Sequence, residues 1–260
     1  MIHFAALKSV AESFEMRDEY FSVNVGGTEN LIRIMERHGV RRLVFSSSAA
    51  TYGLPEQNPI PETAELRPTN PYGESKVACE ELLTAHAAKH LNWSIVMLRY
   101  FNPVGSHDSA LLGEFPKNAA NIAAIIMEVL RGVRDEVKIN GIDYETPDKT
   151  CIRDYIHIVD LATAHLAALE WTTKHLGEVI YNVGTGRGYS VKEILAAFAT
   201  AAGQEIKTSV GPRRIGDVEI VVADANKIHN ELGWRAKYGL QEIAASAVAW
   251  VKKNPNGFDD

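Results

Sequence analysis

Along this chain, short runs of β-branched and aromatic residues alternate with longer segments whose apolar positions recur with helical period. That is the pattern of an α/β fold built on a parallel sheet. Ile2–Ala5 reads as a short buried strand. Thr28–His38 reads as a helix that turns Leu31, Ile34 and Met35 to one face and stops at Gly39. A strand over Arg42–Ser46 follows, then a loop from Pro55 to Pro71 whose five prolines break either regular structure. Tyr72–His90 is predicted as a long helix and Trp93–Tyr100 as a strand. Further helices are predicted over Asn121–Leu130, Val159–Thr173, Asn226–Leu232 and Leu240–Lys252, and another from an N-cap at Ser190 through Ala202. Val179–Val183 supplies one more strand. The chain has no internal repeat, low-complexity tract or flexible linker, so two domains within its 260 residues must be interleaved.

Composition alters this picture little. Hydrophobic residues make up 46% and charged residues 23% of the chain, as in an ordinary globular protein. No apolar run approaches the ~20 residues that span a bilayer, and the first residues lack the basic region and apolar core of a secretion signal. A cytoplasmic location without a membrane partner is expected. Cys79 and Cys151 make neither a disulfide framework nor a metal cluster. The net charge of −6 disfavours nucleic acid as a partner, although a few converging arginines can still hold a diphosphate.

Candidate chemistry changes more. Gly184-Thr-Gly-Arg-Gly188 follows a strand and precedes a helix, which admits a phosphate-binding reading. A tight turn that needs a positive φ is the better expectation for so short a motif. Tyr72-Gly-Glu-Ser-Lys76 places a phenol and an ammonium one helical turn apart on one face. A nearby lysine charge favours the phenolate and suits the tyrosine to act as a base. Upstream, Phe45-Ser-Ser-Ser-Ala-Ala-Thr-Tyr-Gly53 lies at the carboxyl end of a strand, where open parallel sheets bind their ligands. A serine there can share the hydroxyl that the tyrosine deprotonates. His157 reads as a packing or hydrogen-bonding residue rather than a base.

These segments stand in order with Leu98–Gly105, Arg153–Leu161, Tyr181–Val191 and Arg213–Asp217. Together they resemble the F-S-S-S-A-x-x-Y-G, N-P-Y-G-x-S-K, L-R-Y-F-N-P-x-G, R-D-Y-I-H, Y-N-x-G-T-G-x-G-Y-S-V and R-R-x-G-D hallmarks of UDP-galactose 4-epimerases, members of the extended short-chain dehydrogenase/reductase family. The resemblance runs from Ile2 to the tail Asn254–Phe258. It implies a Rossmann-like parallel sheet with an interleaved, smaller substrate domain. Residues 1–102 would form the dinucleotide-binding part, with the strand near 179–183 returning to it, and 103–260 would be mainly the UDP-sugar part. It implies NAD as cofactor, a UDP-sugar as substrate, catalysis without a metal and a homodimer formed through the helices of Thr28–His38 and Tyr72–His90.

By the same resemblance Ser48, Tyr72 and Lys76 are the catalytic set. Phe4, Ala5, Lys8 and Tyr100 border the cofactor together with Tyr72 and Lys76. Asn102, Asn121, Arg153, Arg214 and Asp217 hold the UDP portion, with Ser48 also on the sugar, and Val221 lies beside the sugar 2-substituent. Departures are present. Ala6 stands where the family has a glycine, and Asn118–Ile122 departs from the usual I-P-N-N-L around Asn121. The family's first three strands, with G-x-x-G-x-x-G and the acidic residue for the adenosine ribose, are not found in the sequence. The 260 residues alone are therefore expected to form an amino-terminally truncated fold that holds NAD poorly. An epimerase of another nucleotide sugar, or a non-catalytic remnant, are the alternatives.

Overall fold

The computed structural model describes residues 1–116, 119–214 and 216–258; Asn118 and Ile215, which fall within two of the motifs above, lie outside them. The chain begins with β1 (Ile2–His3), α1 (Val10–Ser13) and α2 (Arg17–Tyr20). A π-helical stretch, Phe21–Gly26, then leads straight into α3 (Gly27–Arg37). Next come β2 (Arg42–Ser48), a 3-10 turn (Ala49–Thr51), α4 (Pro71–Lys89), β3 (Ser94–Tyr100), β4 (Asn102–Val104), α5 (Ile122–Leu130) and β5 (Val137–Asn140). The remainder runs through β6 (Ile152–His157), α6 (Ile158–Lys174), β7 (Gly177–Val183), β8 (Gly188–Ser190) and α7 (Val191–Ala202). It closes with β9 (Thr208–Gly211), β10 (Ile220–Val221), α8 (Asn226–Leu232) and α9 (Leu240–Lys253). No helix among the described residues is long and apolar enough to cross a membrane.

Two compact units share this chain. The first takes Met1–Phe101, Thr163–Val183 and Ala223–Arg235. Its sheet runs β1-β2-β3-β7, all parallel, so every strand presents its carboxyl end on the same edge. Register pairs Ser47 with Arg99 and Ser48 with Tyr100, and next pairs Arg99 with Asn182. Leu43, Phe45, Ile95 and Met97 pack one sheet face against Ile32 and Met35 of α3 and Cys79 and Leu83 of α4. Ile34, expected in that face, is instead 49% exposed, and Ile32 takes its place. The phase of α3 is set by Thr28, whose hydroxyl donates to the Asn24 carbonyl at 2.7 Å and meets Cys79 Sγ at 3.6 Å. That bond turns Thr28, Ile32 and Met35 inward. The first strand is also shorter than expected, stopping at His3.

The first turn of α4 explains its own sequence. Asn70 caps it, accepting from the Gly73 N–H at 2.8 Å, and Pro71 occupies the first turn, where no N–H is missed. A Cβ on Gly73 would lie 2.6 Å from the Ala50 carbonyl oxygen. Only glycine lets α4 come this close to the end of β2.

The second unit takes Asn102–Ala162, Gly184–Val222 and Ala236–Asp260. It holds a sheet of β10-β6-β4 with β8 antiparallel on β6, and a separate β5-β9 pair. Its core gathers Tyr155, Ile126, Ile194, Phe198, Ile243 and Trp250. Helix α7 opens on a capping box between Ser190 and Glu193 and closes on left-handed Gly203. The glycine-dense turn before it is a turn of positive φ, at Gly186 (74°). Its backbone N–H groups are occupied by the chain's own carboxylate. Asp154, fully buried, accepts from Thr185 N–H at 2.8 Å, Thr185 Oγ at 2.7 Å and Gly186 N–H at 3.0 Å. The loop is the tight turn that was expected, and the anion held by its Thr185 and Gly186 N–H groups is internal.

Candidate active site

In the first unit, the carboxyl edge of the sheet assembles Phe4 and Ala5 after β1, Ser46–Ser48 at the end of β2, and Tyr100 at the end of β3. Helix α4 brings Tyr72 and Lys76 to the same edge. The Lys76 ammonium donates to the Ser46 carbonyl at 2.8 Å and lies 4.9 Å over the Phe45 ring and 5.9 Å over the Tyr72 ring. Burial pushes the Lys76 ammonium down to about 8. Burial also raises the Tyr72 phenol, and a hydrogen bond with the Ser48 side chain works in the opposite direction. Ser48, Tyr72 and Lys76 are therefore gathered at one strand end. The Ser48 hydroxyl also accepts from Ala50 N–H at 3.1 Å, which fixes its direction.

Tyr100 meets His165 Nε2 at 2.5 Å, and the same imidazole packs on Phe4 with ring centroids 4.8 Å apart. Phe4 remains 60% exposed, an apolar ring presented at the sheet edge. Ala5 and Lys8 are exposed too. Ala6 stands in a backbone of ordinary φ, since Ala110 and Lys149 are the described non-glycine residues with positive φ. The conformation thus does not demand the glycine that Ala6 replaces.

Sequence reasoning missed the groups that hold this edge in place. Beneath Ser48, Tyr72 and Lys76 a buried polar row crosses the sheet: Ser47, Arg99 and Asn182 lie side by side in register. Glu80, one turn beyond Lys76 on α4, takes Arg99 in a fork at 2.6 and 3.0 Å and accepts from the Ser47 hydroxyl at 2.5 Å. Arg99 donates to Tyr52 Oη at 2.9 Å, and Tyr52 in turn donates to Asn182 Oδ1 at 2.6 Å. Asn24 ties the loop after β1 to α4, accepting from Leu7 N–H at 2.8 Å and donating to Ser75 Oγ at 3.0 Å. The one signal available beforehand was a charged residue, Arg99, inside the apolar run of β3.

The second unit holds the residues expected on the UDP portion. Arg153 on β6 pairs with Asp217 at 2.8 Å, and Val221 of β10 lies opposite Arg153 in register. Asn102 opens β4 and pairs with Tyr155, two residues along β6. Arg214 donates to the Asn140 amide oxygen through Nε and Nη2 at 3.0 and 3.1 Å. Asn121 caps α5, accepting from Ala124 N–H at 2.8 Å while its amide donates to Glu114 at 3.0 and 3.2 Å. His157 is fully buried, meets Ser246 Oγ at 2.9 Å, accepts from Val159 N–H at 3.1 Å and stacks on Tyr238. Those contacts occupy both ring nitrogens in packing.

Comparison with known proteins decides what kind of edge this is. Residues 1–184 match the NAD dependent epimerase/dehydratase family. The chain belongs to that family. It is 46% identical to a UDP-glucose 4-epimerase of Pisum sativum over 99% of its own length and 75% of that protein's. It is 45% identical to the UDP-glucose 4-epimerase of Dictyostelium discoideum, over 100% of its length and 76% of the relative's. A crystal structure of UDP-glucose 4-epimerase from Bifidobacterium longum in complex with NAD+ and UDP superimposes with a TM-score of 0.94 at 46% identity, covering 99% of this chain and 77% of that one. Within the epimerase/dehydratase family, the Ser48–Tyr72–Lys76 group has the composition of a proton-transfer site beside a nicotinamide.

Proposed function

We propose that this chain interconverts UDP-galactose and UDP-glucose by inverting C4 of the sugar, with NAD as cofactor. The observation that carries the reading is the Ser48–Tyr72–Lys76 group at the carboxyl edge of a parallel sheet, in a member of an NAD-dependent family whose pea and Dictyostelium relatives are named UDP-glucose 4-epimerase.

The residues at the edge fit the nicotinamide end of NAD. Phe4 offers an exposed apolar ring, Tyr100 closes the neighbouring strand end, and the Lys76 ammonium and Tyr72 phenol are hydrogen-bonding partners for ribose hydroxyls. Phe4, Ala5, Lys8, Tyr72, Lys76 and Tyr100 would hold that end. When bound, NAD supplies the hydride chemistry at C4. Tyr72 takes the proton of the sugar 4-hydroxyl as C4 is oxidised and returns it on reduction. Ser48 shares the hydrogen bond and orients the hydroxyl. Lys76 lowers the cost of the phenolate by placing positive charge beside it. Arg153 and Arg214 take the diphosphate by charge-assisted bonds, which for Arg153 means exchanging Asp217 for phosphate oxygens. Asn102, Asn121 and Asp217 read the ribose and uracil edges, and Val221 leaves room beside C2. The protein acts as a homodimer through α3 and α4; Ile34 of α3, 49% exposed, is an apolar position for such a contact.

The test is turnover of UDP-galactose by the native protein and by Tyr72→Phe. Removing the base should lower turnover by roughly 10²–10⁴ and leave UDP binding within about twofold. Near-normal turnover in the variant would overturn the assignment of the base. Failure of the unsubstituted protein to convert either sugar would overturn the function.

A further inference from the structure

Away from the catalytic edge, at the carboxyl ends of α3 and α4, three metal-ligating side chains converge. His86 lies in the last turn of α4 and His90 is the residue that caps it, four positions on. Glu36 comes from the last turn of α3. One ligand atom from each lies within 4.8 Å of the other two. The geometry points to a binding site for a divalent transition-metal ion of the zinc class, held by Glu36, His86 and His90.

Distances support the assignment. Zinc bonds of about 2.0–2.1 Å in tetrahedral geometry set ligand atoms roughly 3.3 Å apart. His90 Nδ1 and Glu36 Oε1 already stand at 3.3 Å. The two imidazoles are stacked, 4.2 Å between centroids, and His86 also packs edge-on against Trp93 at 4.3 Å. The His86 ring is not committed elsewhere through Nε2, which is buried with no hydrogen-bond partner among the described residues. A buried imidazole nitrogen in that state carries a cost that coordination relieves.

The donor set selects the ion. Two imidazoles and one carboxylate suit zinc, cobalt or nickel and are poor ligands for magnesium or calcium, which take oxygen. Both helices end here, so the partial negative charge of their last carbonyls favours a cation. Glu36 and His90 are each 40% exposed, which leaves an entry path and a fourth position for water. An ion bound here would clip α3 to α4, joining positions 50 residues apart on the two helices that cover one face of the sheet. It is a structural ion, remote from the catalytic set on the opposite end of α4.

The experiment is equilibrium dialysis of the tag-free, chelator-treated protein against Zn²⁺, with Co²⁺ substitution read by visible absorption. One ion per chain is expected, with the intense bands of a low-coordinate cobalt site and a rise in melting temperature that Mg²⁺ does not reproduce. His90→Gln and Glu36→Gln, both at exposed positions, should each weaken zinc binding by about tenfold or more without lowering the metal-free melting temperature. Unchanged affinity in the His90→Gln/Glu36→Gln double variant would overturn the site, as would half an ion per chain, which places the metal between copies instead.

Discussion

Glu80→Ala tests whether the buried row beneath the active site holds the edge together. The substitution removes a carboxylate that is 4% exposed and takes away both bonds of the Arg99 fork together with the acceptor for Ser47. Arg99, itself 3% exposed, keeps only Tyr52 Oη and the Glu62 carbonyl as partners. Breaking a buried ion pair from one side costs about 3–5 kcal/mol, because the remaining charge stays out of water. Against a total stability of about 5–15 kcal/mol that is a large fraction. At about 2 °C per kcal/mol for a chain of this length, the melting temperature should fall by about 6–10 °C. The penalty belongs to the orphaned charge rather than to the pair. The double variant Glu80→Leu/Arg99→Met should therefore recover most of the loss. Urea melts of all three proteins, followed by far-ultraviolet circular dichroism and by tryptophan fluorescence, give the comparison, with coincident probes required because the chain has two compact units. A cost below about 1 kcal/mol for Glu80→Ala, or a double variant as unstable as the sum of its singles, would refute the reasoning.

Two further expectations concern Lys76 and Val221. Burial holds the Lys76 ammonium at about 8 against an ordinary 10.5, so between those values the unfolded chain binds one proton more and stability rises with pH. Below about 8 both states are protonated and the penalty is constant, about 3 kcal/mol from the pKa gap. Lys76→Met should flatten that rise, and parallel urea-midpoint profiles for the two proteins across the window would contradict it. Val221→Tyr should abolish turnover of UDP-N-acetylglucosamine and spare UDP-galactose; background-level turnover of the N-acetyl sugar by the unsubstituted protein would count against the room assigned beside C2.

What was legible in the sequence follows from how local each feature is. The helix from Ser190 to Ala202 carries its own cap and stop, the one from Asn226 to Leu232 carries its stop at Gly233, and the structure has both at those positions. The α/β class likewise follows from alternating runs long enough to show a period. Strands of two to four residues, such as β5, β8, β9 and β10, are too short for a period to register, and they form because a partner strand is presented to them. No element was expected over Phe21–Gly26, yet it is helical. The buried Asn24 fixes it there through Leu7 and Ser75, far away in sequence. The spacing of Tyr72 and Lys76 was visible because both lie on one helix. The Ser47–Glu80–Arg99 row was not, since its members come from three elements and meet only through strand register. His165 was missed for the same reason: nothing near it in sequence points to Phe4 or Tyr100.

The three consecutive serines at the end of β2 have a genetic consequence. Ser47 points into the buried row and Ser48 to the reacting edge, so one codon step separates a folding phenotype from a catalytic one. Ser47→Ala should surface in a mutational scan as lost abundance, and Ser48→Ala as lost turnover at normal abundance. A deletion is less forgiving. Loss of any one of the three codons yields the same polypeptide, so three distinct lesions in the DNA converge on one outcome. Ala49 then takes the place opposite Tyr100, and the hydroxyl at that register position is gone although the run still begins Phe-Ser-Ser. Length at this point in the reading frame is constrained more tightly than residue identity.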